Sequence, residues 1–115
     1  MRRQRNPIAA TELLTSAPLF AALGDGIRLR LVVRLSEEGA ASISRLTTGT
    51  GVTRQAVTKH LRMMQNSGLV RSTKRGRERL WQLNQQRLQD ARRHLELISQ
   101  QWDAALARLK KFVED

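Results

Sequence analysis

Residues 42–68 read SISRLTTGTGVTRQAVTKHLRMMQNSG, and this stretch decides the fold. Ser42 or Ser44 can cap a short helix that continues through residue 46, and the Gly-Thr-Gly turn at 49–51 stops it. A second helical pattern begins directly after this turn. Two short helices joined by a glycine-bearing turn predict a helix-turn-helix, in which the second helix is the one that reads DNA.

The second helix has one apolar and one polar face. Thr53 is expected to cap its N-terminus, and Val57, Leu61 and Met64 follow at the spacing of a single buried helical stripe. Gly68 supplies the glycine at which such a helix ends. The remaining positions of this helix are therefore expected to face a partner.

A hairpin pattern follows. Residues 69–75 and 78–83 read as two strands around the Gly76-Arg77 turn. Leu80 is off-phase with the other apolar residues of the second strand, so the pattern leaves the register of that strand open. A hairpin in this position predicts the wing of a winged helix.

Helical patterns precede the helix-turn-helix. Residues 8–23 read as a helix that Pro18 breaks or restarts, with Ser16 as the expected cap of the restart. Asp25 is the expected cap of the next helix, which ends at Gly39.

The last segment, 85–113, predicts one long helix without Gly or Pro. Its apolar residues alternate spacings of three and four, as in a heptad seam: Leu88, Ala91, Leu95, Ile98, Trp102, Ala105, Leu109 and Phe112. A second copy of the chain is the simplest cover for so long a seam. The alternative is that the seam packs on residues 8–35 of the same chain.

Size and charge fit one basic domain. The chain has 115 residues, a net charge of +11 and no cysteine, so disulfides, thiolate metal sites and thiol switches are excluded. No apolar run approaches the ~18 residues of a membrane span, and no signal core follows the basic start, so a cytoplasmic protein is expected. We predict a flexible basic arm at 1–7 and one winged-helix domain at 8–115. The domain divides into a helix-turn-helix (42–68), a wing (69–83) and a long dimerisation helix (84–113).

The positive charge is concentrated on the predicted winged helix. Between Glu38 and Glu78 the chain has no acidic residue. The same stretch carries eight basic ones: Arg45, Arg54, Lys59, Arg62, Arg71, Lys74, Arg75 and Arg77. Such a field favours double-stranded DNA as the partner.

Individual DNA contacts can be predicted from side-chain chemistry. Arg54 and Gln55 are forked groups that match the edges of guanine and adenine, and Thr58 can meet a thymine methyl or a phosphate. Further predicted DNA contacts are Ser44 and Thr53 near helix N-termini, Lys59 and Arg62 on phosphates, and Lys74, Arg75 and Arg77 at the wing tip. His60 either donates to a phosphate or makes a structural hydrogen bond beneath the helix.

The chain offers few groups for a metal or a cofactor. Asp90 and His94 lie one helical turn apart, which can begin a metal site, but no second histidine lies near them. We therefore expect neither a metal nor a cofactor.

Five segments together resemble the ArsR-type winged-helix repressors, over about residues 12–112. Residues 19–30 are similar to the opening helix junction of that family, and 51–61 to its recognition helix with the terminal His-Leu pair. Residues 68–70, 76–79 and 81–83 are similar to its wing. The resemblance implies a homodimeric bacterial or archaeal repressor, acting at an operator near its own gene and released by a signal.

The resemblance also implies a dimer interface built from the first and last helices. On this chain the implied positions are Leu13, Leu14, Leu88, Leu95, Ile98, Trp102, Leu109 and Phe112. The chain departs from the family in having no metal-sensing cysteines, in lacking the full Asp/His set, and in carrying Gly26 where proline is usual. These departures imply a branch that does not sense metals. Its signal is a small organic molecule, a partner protein, or nothing.

Two other function classes fit the sequence less well. A winged helix can dock proteins or bind RNA, but RNA surfaces usually add aromatic platforms. This chain has no Tyr, two Phe and two Trp, all at positions of apolar pattern. An enzyme is not expected, because the sequence holds no cysteine nucleophile, no phosphate-binding glycine loop and no carboxylate pair.

Overall fold

The computed structural model describes residues 10–114, so the predicted basic arm at 1–7 lies outside it. The helices over these residues are α1 (Ala10–Leu14), α2 (Ala17–Ala22), α3 (Gly26–Glu38), α4 (Ile43–Thr47), α5 (Arg54–Asn66) and α6 (Gln85–Glu114). The strands are β1 (Ala41–Ser42), β2 (Val70–Arg75) and β3 (Glu78–Leu83). The order of these elements is that of a winged helix-turn-helix, as predicted.

The break between α1 and α2 falls just ahead of Pro18. Proline is accepted in the first turn of α2, where its missing N–H has no helical partner to lose. Ser16 occupies the cap position but makes no capping hydrogen bond, so that part of the prediction is wrong. Its buried hydroxyl oxygen lies 2.6 Å from His94 Nδ1 of α6 instead, because a long-range polar partner competes with the local cap.

Three predicted caps form. The carboxylate of Asp25 accepts the Arg28 N–H at 3.0 Å, and Ser42, the first of the two candidates, accepts the Arg45 N–H at 3.3 Å. Thr53 accepts the Ala56 N–H at 3.0 Å at the start of α5. Each cap satisfies a backbone donor that the first helical turn leaves free.

The sheet has three strands in the order β1-β3-β2. The hairpin pairs Val70 with Leu83 and Arg75 with Glu78, and it turns at Gly76, whose φ of 63° suits a residue without Cβ. The sequence analysis missed β1, whose Ala41 pairs with Trp81. Two residues carry no periodic signal, and only the nonlocal partner makes them a strand.

A single core joins these elements. The side chains buried in it are Leu19, Ala22, Leu31, Leu35, Ala41, Leu46, Val57, Leu61, Met64, Leu69, Val70, Trp81, Leu83 and Ala91. The predicted stripe of α5 is fully inside it, since Val57, Leu61 and Met64 are each 0% exposed. This burial fixes which face of α5 is turned outward.

The root of α6 is tied to the rest of the domain through Arg87. Its guanidinium donates to the carbonyl of Thr15 at 3.1 Å and to that of Ser67 at 3.4 Å. A Cβ added to Gly68, which has a φ of +85°, would come within 3.0 Å of Arg87 Nε. Glycine therefore serves both the backbone conformation and the close approach of this arginine.

Beyond this root, α6 leaves the domain. Ala91 and His94 are its buried residues, whereas Leu95, Ile98, Trp102, Leu106, Leu109, Phe112 and Val113 are all exposed. The molecule is elongated, with extents of 65 × 28 × 20 Å. Within residues 10–114, no helix combines the length and the apolar character that crossing a membrane requires.

Candidate nucleic-acid interface

The recognition helix α5 presents its polar side chains away from the core. Arg54, Gln55, Lys59 and Arg62 are all exposed, whereas the stripe of Val57, Leu61 and Met64 is buried. Because that stripe is packed, the backbone that carries these four side chains is held in place. Three cations and one amide fork therefore project from a rigid surface.

Two threonines at the start of α5 are already engaged with the helix. The hydroxyl oxygen of Thr53 accepts the capping N–H, which leaves its proton available to an acceptor such as a phosphate. The hydroxyl of half-buried Thr58 donates to the carbonyl of Arg54 at 2.9 Å. Thr58 thus offers its methyl group and oxygen lone pairs rather than its proton.

His60 is a residue of the recognition helix that contacts α3. Its ring is half-buried, and Nδ1 lies 3.4 Å from Nη1 of Arg28 in α3. Nε of the same arginine donates to the carbonyl of Ala22 at 2.6 Å. Of the two interpretations left open for His60, this geometry favours the structural hydrogen bond. The pKa of neighbouring Asp25 is lowered, chiefly by the backbone hydrogen bond from Arg28.

The helix before the recognition helix is fixed by ion pairs. Arg45 donates to Glu38, and this hydrogen bond lowers the pKa of the Glu38 carboxyl and raises that of Arg45. Arg34 donates to the carbonyl of Arg45 at 2.9 Å and to that of Thr48, which closes the end of α4. Arg45 is thus partly neutralised, whereas Ser44 lies exposed on the same short helix.

The wing carries its charges at the tip. Lys74, Arg75 and Arg77 are exposed around the Gly76 turn. Nearer the body, Nε2 of Gln65 in α5 donates to Oγ of Ser72 in β2 at 3.1 Å, which links the recognition helix to the wing.

Sequence reasoning missed one cation on this surface. Nη1 of Arg79 in β3 donates to the same Ser72 oxygen at 2.9 Å. Arg79 precedes Trp81 by two residues and Leu83 by four, so the three side chains lie on the same face of the strand. This spacing was the signal in the sequence that could have identified Arg79.

The eight predicted dimer-interface residues differ in their exposure to solvent. Leu13 and Leu88 are half-buried, and Leu88 packs against the core of its own chain. The remaining six are exposed: Leu14 (64%), Leu95 (53%), Ile98 (44%), Trp102 (64%), Leu109 (58%) and Phe112 (80%). The intramolecular alternative therefore accounts for the first turns of the seam and leaves the rest uncovered.

The histidine and aspartate of α6 are engaged separately. His94 faces Ser16, and the carboxylate of Asp90 accepts from Gln86 at 3.5 Å. Among the described residues, no three His, Asp or Glu side chains come together as metal ligands would.

Known proteins are similar to this chain in sequence and in fold. A family model described as a helix-turn-helix domain matches residues 23–73. The HTH-type transcriptional regulator YuzN of Bacillus subtilis, described as uncharacterized, is 33% identical over an alignment of 78 residues that covers 63% of this chain and 85% of that protein.

Solved structures extend the likeness to nearly the whole chain. An ArsR-like transcriptional regulator from Rhodococcus sp. RHA1 superposes with a TM-score of 0.79 at 36% identity, covering 93% of this chain and 97% of its own. A homodimeric winged helix-turn-helix DNA-binding domain from Mycobacterium bovis superposes with a TM-score of 0.61, covering 93% of this chain and 95% of its own. At 21% identity the second likeness shows the fold alone.

Proposed function

The chain belongs to the ArsR-like family of winged-helix DNA-binding transcriptional regulators, and we propose that it is a homodimeric repressor of a palindromic operator. The observation that carries the proposal is the two-sided recognition helix. The apolar stripe of α5 is buried in the core, and the exposed positions of the helix include Arg54, Gln55, Lys59 and Arg62. These are the residue types that read base edges and hold phosphates in a major groove.

The roles of these side chains follow from their position along α5. Arg54 and Gln55 stand in the first turn, which enters the groove first in a helix-turn-helix, so we assign them to base edges. Thr58 offers its methyl group to a thymine because its proton is held by the backbone. Lys59 and Arg62 lie farther along the helix and are assigned to phosphates, as is Thr53 through its free proton.

The wing supplies a second contact. Lys74, Arg75 and Arg77 form an exposed cationic tip around the Gly76 turn, which suits a narrow minor groove or the flanking backbone. Ser44, at the start of α4, is assigned to a neighbouring phosphate.

The exposed seam of α6 supports a twofold dimer. A second copy would cover Leu95, Ile98, Trp102, Leu109 and Phe112, which a single chain leaves in water. Leu13, Leu14 and Leu88 lie near the root of α6 and extend the same interface. Twofold symmetry would then place two recognition helices about 34 Å apart, on successive turns of DNA.

The signal that releases the operator is proposed to be something other than a metal. The chain has no cysteine, and His94, the one histidine of α6, is buried against Ser16. A small organic molecule or a protein partner remains compatible with the rest of the molecule.

The test is fluorescence anisotropy of the full chain against DNA from upstream of its own gene, with scrambled DNA beside it, across a salt series. We expect upstream DNA to bind about 1,000-fold more tightly than scrambled DNA. Arg54→Ala and Gln55→Ala should each cost about 1–3 kcal/mol on the specific site and relax the preference at one base position.

Lys110→Ala is the matched control, because it removes an exposed cation of α6 that lies off the seam. It should leave the ratio of specific to scrambled affinity unchanged. Equal affinities for the two DNAs, both falling steeply with salt, would overturn the assignment of a specific operator. An architectural, RNA-binding or docking role would then take its place.

A further inference from the structure

A polar cleft of about 250 Å³ lies between the recognition helix and the wing. Its walls are Arg62 and Gln65 from α5, Ser72 from β2, and Arg79 and Trp81 from β3. We propose that this cleft binds a phosphate group. The proposal rests on the proposed function, because both walls belong to elements assigned to DNA, and it adds Gln65, Ser72, Arg79 and Trp81 to them.

One face of the hairpin changes from apolar to charged along its length, and the cleft lies on this face. Opposed residues of antiparallel strands lie on the same side of a sheet. The successive pairs on this side are Val70 with Leu83, Ser72 with Trp81, and Lys74 with Arg79. The first pair is buried in the core, the second carries one hydroxyl and one indole, and the third is cationic. The cleft lies where the apolar end of this face passes into the charged end.

Trp81, one of the residues that line the cleft, carries an unsatisfied donor. The side chain is only 2% exposed, and its indole Nε1 has no hydrogen-bond acceptor among the described residues. A buried donor without a partner is costly, and an indole nitrogen can only donate. An oxygen that entered the cleft would remove this cost.

Ser72 is arranged to donate as well. Its oxygen accepts one hydrogen bond from Gln65 Nε2 and another from Arg79 Nη1. With both lone pairs occupied, the hydroxyl proton is the group that Ser72 can still offer. The existing hydrogen bonds therefore orient this residue toward an acceptor.

The charge of the cleft selects the acceptor. Arg62 and Arg79 contribute two cations, and no Asp or Glu is among the lining residues. Arginine guanidinium groups bind phosphate oxygens through paired, charge-assisted hydrogen bonds. Two guanidinium groups, an indole and a hydroxyl belong to residues that line one space, and a tetrahedral oxyanion can accept hydrogen bonds from all of these groups.

Phosphate can come from two sources, the DNA backbone or a free phosphate ion, and the indole N–H of Trp81 can report on both. The experiment records the two tryptophan indole resonances of the ¹⁵N-labelled full chain, assigned with Trp102→Phe. Inorganic phosphate is titrated first, and the operator DNA or a scrambled duplex second. Anisotropy on the same samples measures DNA binding independently of the indole signal.

We expect DNA of either sequence to shift the Trp81 indole resonance. Arg79→Gln should abolish this shift and reduce the slope of log affinity against log salt by about 1. Ser72→Ala should diminish the shift without removing a charge. Arg77→Gln is the matched control, since it removes a wing cation outside the cleft: it should lower affinity and the salt slope similarly and leave the Trp81 shift intact.

The outcomes separate the two proposals. A Trp81 resonance that stays fixed while DNA binds would overturn the phosphate cleft and leave the regulator standing. A shift with inorganic phosphate alone, in a protein that does not prefer its upstream DNA, would support the cleft as a site for a free anion and overturn the operator assignment. A shift on DNA that survives Arg79→Gln would also overturn the cleft.

Discussion

Large apolar side chains are buried in the winged-helix body and exposed on the outer half of α6. In the body, Leu31, Leu46 and Leu61 are 0% exposed. On α6 beyond His94, Trp102 is 64% exposed and Leu109 is 58% exposed. The body thus completes its core within one chain, whereas the outer helix carries an apolar seam that no other part of the described chain covers. Burial in the body stabilises a fold, and burial on the outer helix would stabilise an assembly.

The sharpest test of this contrast is a charge in the seam. Trp102→Glu should weaken the dimer by about 4 kcal/mol or more, because large aromatic anchors contribute at least ~2 kcal/mol each and the twofold axis repeats the change. Sedimentation velocity should show a monomer, and operator affinity should fall with it. Gln100→Glu adds the same charge on the opposite side of α6 and should leave the dimer intact. A Trp102→Glu protein that sediments as a dimer would show that the seam is not the interface.

A cavity in the body should reduce the stability of the fold, whereas the charge in the seam reduces the stability of the dimer. Leu61→Ala should lower the free energy of unfolding by about 2–5 kcal/mol, because a fully buried leucine leaves a void that the core cannot close. Urea denaturation followed by circular dichroism measures it. The matched variant Leu109→Ala should barely change unfolding of the body under dilute, monomeric conditions. Equal losses from the two variants would contradict the division into body and seam.

The smallest effect is expected at the boundary between the two regions. Ser16→Ala removes the partner of His94 Nδ1, whose other ring nitrogen already lacks one among the described residues. The cost should be about 1–2 kcal/mol of unfolding free energy. Ser36→Ala, at an exposed position of α3, is the comparison variant and should cost less. If the two variants cost the same, the buried pair at the root of α6 contributes nothing specific.

The sequence was informative wherever structure is decided locally. The caps at Asp25 and Thr53 and the turn at Gly76 depend on residues three or four apart, so their patterns are legible in a single sequence. The recognition helix was predicted for the same reason, since Val57, Leu61 and Met64 repeat at helical spacing.

The features that were missed depend on distant partners. Ser16 and His94 are 78 positions apart, and β1 becomes a strand only by pairing with β3. The cleft required the register of the hairpin, which the off-phase Leu80 left open. Once Ser72 is known to oppose Trp81, Arg79 follows on the same face.

Arg87 links the two regions mechanically. It fixes the base of α6 to the α1–α2 junction through the carbonyl of Thr15 and to the end of the recognition helix through the carbonyl of Ser67. A 30-residue helix is about 45 Å long, so a tilt of about 5° at its base displaces its far end by about 4 Å, close to one base-pair step. In the proposed dimer, the two hydrogen bonds of this guanidinium would hold the angle of α6 and, with it, the distance between the two recognition helices.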